Sequence, residues 1–276
     1  MSTWLITGCS SGLGRAFAEE ALGRGHNVVA TARSTDKIQQ FAEGNPETAL
    51  ALALDVTDVD SVRAAVATAE EKFGQIDVLI NNAGYGYRAA VEEGDDDDVA
   101  RLFDTHVHGM VRTVKAVLPG MRARRSGTIV NLSSIGARVT GPGSGYYGAA
   151  KSAVEALTSA LRKEIAPLGL TATVVEPGAF RTDFSGRSLT ESSVVIEDYA
   201  ETAGKRRKAK DTSDGKQPGD PKKAAAVLVD AVDGGQLPFL LLLGSDAVRV
   251  VRGALSDLAS DIDAWADTVS VTDIDE

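Results

Sequence analysis

Apolar positions along this chain fall into two alternating rhythms. Short runs such as TWLIT (3–7), HNVVATA (26–32), TALALAL (48–54), IDVLI (76–80), GTIVNLS (127–133) and LTATVVE (170–176) are apolar at nearly consecutive positions. Strands buried on both faces read this way. Between them, apolar residues recur every three or four positions, in GRAFAEEALGRG and then over roughly 58–73, 97–125 and 145–166. That spacing belongs to helices with one buried face. The alternation predicts an α/β fold of right-handed βαβ units: a doubly wound parallel sheet of about seven strands with helices on both faces.

The rhythm breaks near residue 185. Residues 185–220 are polar and rich in Gly, Ser and Lys, with no clear strand, and are expected to form a lid-like insertion in a single domain. PKKAAAVLVDAVDGG then reads as a helix with Pro221 in its first turn. PFLLLLG (238–244) reads as a last strand and 245–267 as a terminal helix. No internal repeat is present.

Composition narrows the function classes. The 276 residues are 43% hydrophobic and 25% charged, as in ordinary globular proteins. A net charge of −10 argues against a nucleic-acid partner, which needs a basic surface. The single cysteine, Cys9, allows no intramolecular disulfide. MSTWLITG lacks the basic and long apolar regions of a signal peptide, and no apolar run is long enough to span a membrane. A cytoplasmic protein without a membrane partner is the expectation.

TGCSSGLG (7–14) follows the first strand and opens the first helix. Three glycines at this spacing let the backbone turn tightly and approach a pyrophosphate, which free helix N–H groups can hold. In this strand–turn–helix context the motif points to a dinucleotide site.

The spacing T-G-x-x-x-G-x-G resembles the signature of the short-chain dehydrogenase/reductase family. The resemblance extends over nearly everything up to residue 184. DV (55–56) and NNAG (81–84) follow the third and fourth strands as in that family. YGAAK (147–151) matches Y-x-x-x-K, Ser134 lies thirteen positions before its tyrosine, and PGAFRT (177–182) matches the proline–glycine loop and its threonine. The resemblance implies a Rossmann fold and an oxidoreductase interconverting a ketone or aldehyde with an alcohol. It places the cofactor on Thr7, Gly8, Ser10, Ser11, Gly12, Leu13 and Gly14, on Asp55 and Val56 near the adenine, and on Asn82, Ala83 and Gly84. Tyr147, Lys151, Pro177, Gly178 and Thr182 complete that set.

The cofactor is expected to be NADP(H). Where an aspartate would bind the ribose hydroxyls of NAD, the second strand ends in Ala32, followed by Arg33. A guanidinium there suits a 2′-phosphate by charge and by its forked geometry.

Positions i and i+4 of a helix lie nearly above one another, so Tyr147, and not Tyr146, faces Lys151. A phenol with a pKa near 10 is a poor proton shuttle at neutral pH, and a neighbouring ammonium plus an oxidised nicotinamide both stabilise the phenolate. By resemblance Tyr147 is the acid/base, Lys151 supports it and holds the nicotinamide ribose, and Ser134 hydrogen-bonds the substrate oxygen; Ser133, beside it, points the other way. The family usually has an asparagine in the helix after the fourth strand. DTHVHGMVRT puts His106 there, where it substitutes in the proton relay, weakens it, or titrates near neutrality and bends the pH profile.

Tyr146 reads as a pocket wall or core packing, and Phe180 and Phe184 read as apolar pocket walls. GDDDD (94–98) is expected to initiate a helix rather than bind a metal. KRRKAK (205–210) is expected to be a solvated face of the lid rather than an anion site. Similarity to hydroxysteroid and retinol dehydrogenase-like members suggests a lipophilic carbonyl substrate and a homodimer or homotetramer packed through 97–125 and 145–166. The competing reading is a non-catalytic NADP-binding sensor on the same fold. A sugar-nucleotide epimerase is disfavoured by the glycine spacing and the modest C-terminal half.

Overall fold

The computed structural model describes residues 1–182, 184, 188–208 and 216–274. Its strands are β1 (Thr3–Ile6), β2 (Asn27–Ala32), β3 (Ala49–Ala53), β4 (Val78–Asn81), β5 (Gly86–Arg88), β6 (Gly127–Leu132), β7 (Leu170–Pro177), β8 (Leu189–Glu191) and β9 (Leu240–Leu243). Seven of them form one sheet in the order β3-β2-β1-β4-β6-β7-β9, and every pairing in it is parallel. The helices are α1 (Gly12–Gly23), α2 (Gln39–Gly44), α3 (Val59–Phe73), α4 (Asp96–Phe103), α5 (Gly109–Arg124), α6 (Gly145–Ile165), α7 (Lys205–Lys208), α8 (Pro221–Asp233) and α9 (Ser245–Ser270).

The apolar runs are continuous because the sheet is covered twice. On β1, Trp4 and Ile6 enter one core with Phe17 and Ala18 of α1 and Leu228 and Val229 of α8. Leu5, between them, enters the other core with Val66, Val117 and Val154 of α3, α5 and α6. Alternate strand residues point to opposite faces, so a strand covered on both sides is apolar at every position. Each such side chain contributes about 1.5–3 kcal/mol of burial.

Local signals set the helix ends. Asp58 accepts from the backbone N–H groups of Asp60 and Ser61, and α3 ends at left-handed Gly74. Asp95 caps α4 through Asp97 and Asp98 N–H, so the acidic run does initiate a helix. Asp220 caps α8 with Pro221 in the first turn.

Two expectations are corrected. The stretch 97–125 is not one helix: α4 and α5 are joined by a π-helical turn, Asp104–His108, a widening that often marks functional positions. The region 185–220 is not strandless among its described residues. β8 pairs with β5, Gly86 opposite Leu189 and Arg88 opposite Glu191, as a small second sheet. Three residues pairing across a hundred positions leave no periodic trace in sequence. Residues 185–187 and 209–215 of the expected insertion, with Ala209 and Lys210 of its basic run, lie outside the described residues. Among the described residues no helix is long and apolar enough to cross a membrane.

Strand order reverses between β1 and β4. The crevice beyond the carboxyl ends of these two strands is where open α/β sheets bind ligands.

Candidate active site

The β1–α1 turn and the end of β4 are tied together. Thr7 Oγ1 accepts from Asn82 N at 2.9 Å and Ala83 N at 3.0 Å. Asn82 Nδ2 donates back to Thr7 O at 2.9 Å and Gly8 O at 3.2 Å. The packing leaves no room for side chains. A Cβ on Gly14 would lie 2.3 Å from Asn82 Nδ2, and one on Gly8, whose φ is +75°, would lie 2.9 Å from Ala83 Cα. Ser11, the N-cap of α1, makes no side-chain capping bond, so the first-turn N–H groups are free to meet a ligand.

Ser10, Ser11 and Gly12 line a cleft of about 710 Å³ with Arg15, Lys37, Arg181 and Thr182. Leu13 packs on the core instead. The loop after β7 closes the far side. Gly178 N donates to Leu243 O, Ala179 N donates to Asp246 Oδ2, and a Cβ on Gly12 would lie 3.4 Å from Thr182. Pro177 ends β7 at this loop.

Arg33 is exposed just beyond β2. Asp55 follows β3; burial pushes its carboxyl up, but hydrogen bonds from Thr57 and the Arg33 and Arg112 cations prevail and hold it below the usual range. Val56, beside it, is buried.

Tyr147 and Lys151 lie on the first two turns of α6. Lys151 Nζ donates to Leu132 O at 2.7 Å and lies 5.8 Å from the Tyr147 ring centroid. Ser134 Oγ accepts from Gly136 N at 3.0 Å, and a hydrogen bond from Ser134 favours the Tyr147 phenolate. In the protein alone, burial dominates both ionisations: it pushes the Tyr147 phenol up to about 12 and the Lys151 ammonium down to about 7, with Glu155 opposing the latter. The lysine therefore does not by itself make this phenol acidic, because desolvation outweighs one cation that is already held by a carbonyl.

His106 joins this group from the π turn, with its ring edge-on to Tyr147 at 5.7 Å. Its Nε2 is 2.8 Å from Tyr85 O and 3.1 Å from Tyr85 N, while Nδ1 is buried without a partner. Burial, then the Lys151 charge, keeps this imidazole well below its ordinary pKa and therefore neutral near pH 7. Gly84 is required beside it, since a Cβ there would strike the ring at 2.3 Å. A cavity of about 10 Å³, space for one water, is lined by Thr7, Asn81, His106, Asn131 and Lys151 among others.

The expected substrate walls divide. Phe184 lies 5.9 Å from Tyr147, ring to ring, and is partly exposed at the site. Tyr146 turns away: its hydroxyl donates to Val91 O at 2.6 Å and its ring packs on Gly94, so the core-packing alternative is the observed one. Phe180 is corrected from pocket wall to core. It is buried in the same cluster as Leu228 and Leu243, because the loop folds inward onto Gly219 and Gly244.

Two charged groupings were missed by sequence reasoning. Arg207, inside the basic run, is not solvated: it pairs at 2.5 Å with Glu93, which is 1% exposed and also accepts from Ala90 N and Ile196 N. Behind Lys151, Arg138 bridges Glu155 at 2.6 Å and Glu176 at 3.0 Å, and Ser133 donates to Glu155 at 2.6 Å. Glu155 is one helical turn after Lys151, so the spacing that selected Tyr147 could have found it; no local pattern announces Arg207.

Comparison with known proteins bears on this geometry. Residues 2–192 match the short chain dehydrogenase family. The chain belongs to the short-chain dehydrogenase/reductase family. It is 40% identical over 263 residues to an oxidoreductase of Botryotinia fuckeliana, covering 95% of this chain and 96% of that one. It is 40% identical over 199 residues to the 3-ketodihydrosphingosine reductase of Bacteroides thetaiotaomicron, covering 72% and 71%. A solved short-chain dehydrogenase of Streptomyces avermitilis superposes with a TM-score of 0.92 at 39% identity, covering 99% of this chain and 100% of that one. Membership makes the protein a nicotinamide-dependent oxidoreductase acting on CH–OH or C=O groups. The glycine cradle that any Cβ would fill, and the uncapped N-terminus of α1, suit the pyrophosphate of such a cofactor.

Proposed function

We propose that this short-chain dehydrogenase/reductase is an NADP(H)-dependent carbonyl reductase/alcohol dehydrogenase for a lipophilic substrate. The observation that carries the reading is the convergence of Ser134, Tyr147 and Lys151 on one end of the glycine-lined crevice. Gly8, Ser10, Ser11, Gly12 and the α1 N-terminus would hold the pyrophosphate, and Pro177, Gly178 and Thr182 would line the nicotinamide end. Bound nicotinamide supplies or takes the hydride. Ser134 holds the substrate oxygen, and Tyr147 delivers a proton to it or removes one. Lys151, 5.8 Å from the Tyr147 ring centroid, would favour the phenolate together with the positive charge that an oxidised nicotinamide would supply. His106 Nδ1, buried and unpaired, supports a relay through the one-water cavity to Lys151.

Arg33 supports NADP(H), being exposed beyond β2 with no acidic residue at Ala32. Phe184 at the site, and a relative named as a 3-ketodihydrosphingosine reductase, support an oily ketone. Cytoplasmic residence and a homodimer or homotetramer belong to the same proposal.

Following NADPH absorbance over a panel of ketones and aldehydes tests it. Turnover is expected with at least one, falling by about 10²–10⁴ in Tyr147→Phe while cofactor binding is kept. Binding without turnover across the panel would favour a sensor instead. Arg33→Asp should invert the NADP/NAD preference; an unchanged ratio of kcat/KM values rejects that assignment.

A further inference from the structure

The second half of α9 leaves the body of the protein. Its root is anchored by buried Ala247 and Val251, and from Leu255 to Ile274 every residue is exposed. Yet this arm is not polar all round. Val251, Leu255, Leu258, Ile262, Trp265 and Val269 recur at alternating spacings of four and three, and the last five are each 49–64% exposed. Their stripe leaves on the order of 500 Å² of apolar surface bare, as large as functional patches on whole proteins.

The repeat and the charges describe the occupant. A 3.5-residue period fits the seam of a second helix with the same period. The arm's cations, Arg249 and Arg252, are at its root, and beyond them it carries Asp257, Asp261, Asp263, Asp267 and Asp273 with no Lys or Arg. Cations early and acids late both add to the macrodipole of a lone helix and fray it. An antiparallel copy cancels this arrangement: opposing dipoles lie side by side, and the root of one arm meets the acidic tip of the other.

We propose that α9 is a docking arm for a second copy of this chain, two arms pairing antiparallel with Ile262 of each against Trp265 of the other. In that register Leu258 packs on Val269, and Arg252 comes toward Asp273. Two stripes together offer on the order of 1,000 Å² of apolar surface, the bound that a biological interface should clear. The acidic flanks repel anionic lipid and nucleic acid. The inference does not depend on the catalytic reading.

Sedimentation velocity of the full chain tests it, beside an Ile262→Asp/Trp265→Asp variant whose substitutions are on the exposed stripe. The wild type is expected to show an association step that the variant lacks, its mass falling twofold, with the same thermal unfolding of the body and the same NADPH binding. Arg249→Glu/Arg252→Glu should weaken that step at least tenfold, and adding Asp273→Lys should restore it. Equal masses for wild type and Ile262→Asp/Trp265→Asp would overturn the proposal. So would an unassociated wild type that pellets with phosphatidylcholine vesicles, or failure of the charge exchange to restore pairing.

Discussion

Glu176 is fully buried, its Oε1 accepts from Arg138, and its Oε2 has no donor. Glu155 competes for the same guanidinium. Burial first, then the neighbouring Glu155 carboxylate, raises Glu176 to about 8, against the opposing pull of Arg138. The pair therefore shares one proton at neutral pH. In the unfolded chain Glu176 loses its proton near its ordinary value of 4.5. Between that pH and about 8 the folded state holds one proton more than the unfolded state. By linkage, this group's contribution is fully present below 4.5 and is lost as pH rises, at about 1.4 kcal/mol per pH unit.

Glu176→Gln replaces the protonated acid by a neutral isostere that can also donate, and removes the dependence. Relative to wild type, the variant should gain roughly 2–3 kcal/mol between pH 5.5 and 7.5. Urea unfolding of both proteins at these two pH values measures the difference, and slopes from all other groups, including Lys151, cancel in it. A stability difference that stays constant across this range would mean Glu176 is ionised throughout, and the shared-proton reasoning would be wrong.

Breaking the buried pair that fastens the 189–208 segment to the body should be costly on one side only. Glu93→Leu or Arg207→Met alone is expected to lose about 3–5 kcal/mol, and the double variant clearly less than either; additive losses in denaturant unfolding would refute a coupled pair. Because His106 is held neutral, His106→Asn should leave the limbs of the kcat/KM profile unmoved between pH 6 and 8 and change the rate less than tenfold. A new limb near pH 6.5, or a hundredfold gain, would show that the histidine titrates or impairs the relay.

Much of the architecture was legible because it rests on local chemistry. Runs such as VVA (28–30) and VLI (78–80) are apolar at consecutive positions only when both sheet faces are covered, and caps such as Asp58, Asp95 and Asp220 act on their own helices. The glycine cradle was readable for the same reason: Gly8 and Gly12 adopt positive φ within a few residues of their neighbours. Tyr147 over Lys151 follows from one turn of α6.

What the chain order could not disclose depends on groups distant in sequence meeting in space. In the protein alone, burial pushes the Tyr147 phenol up and the Lys151 ammonium down, since desolvation is a property of the whole surround. Phe180 looked like a pocket wall and is core, Arg207 looked solvated and finds Glu93 114 residues away, and β8 exists through its pairing with β5. Periodicity records which face of an element is dry. Only tertiary packing decides which buried charge meets which, because that energy depends on distances no local pattern encodes.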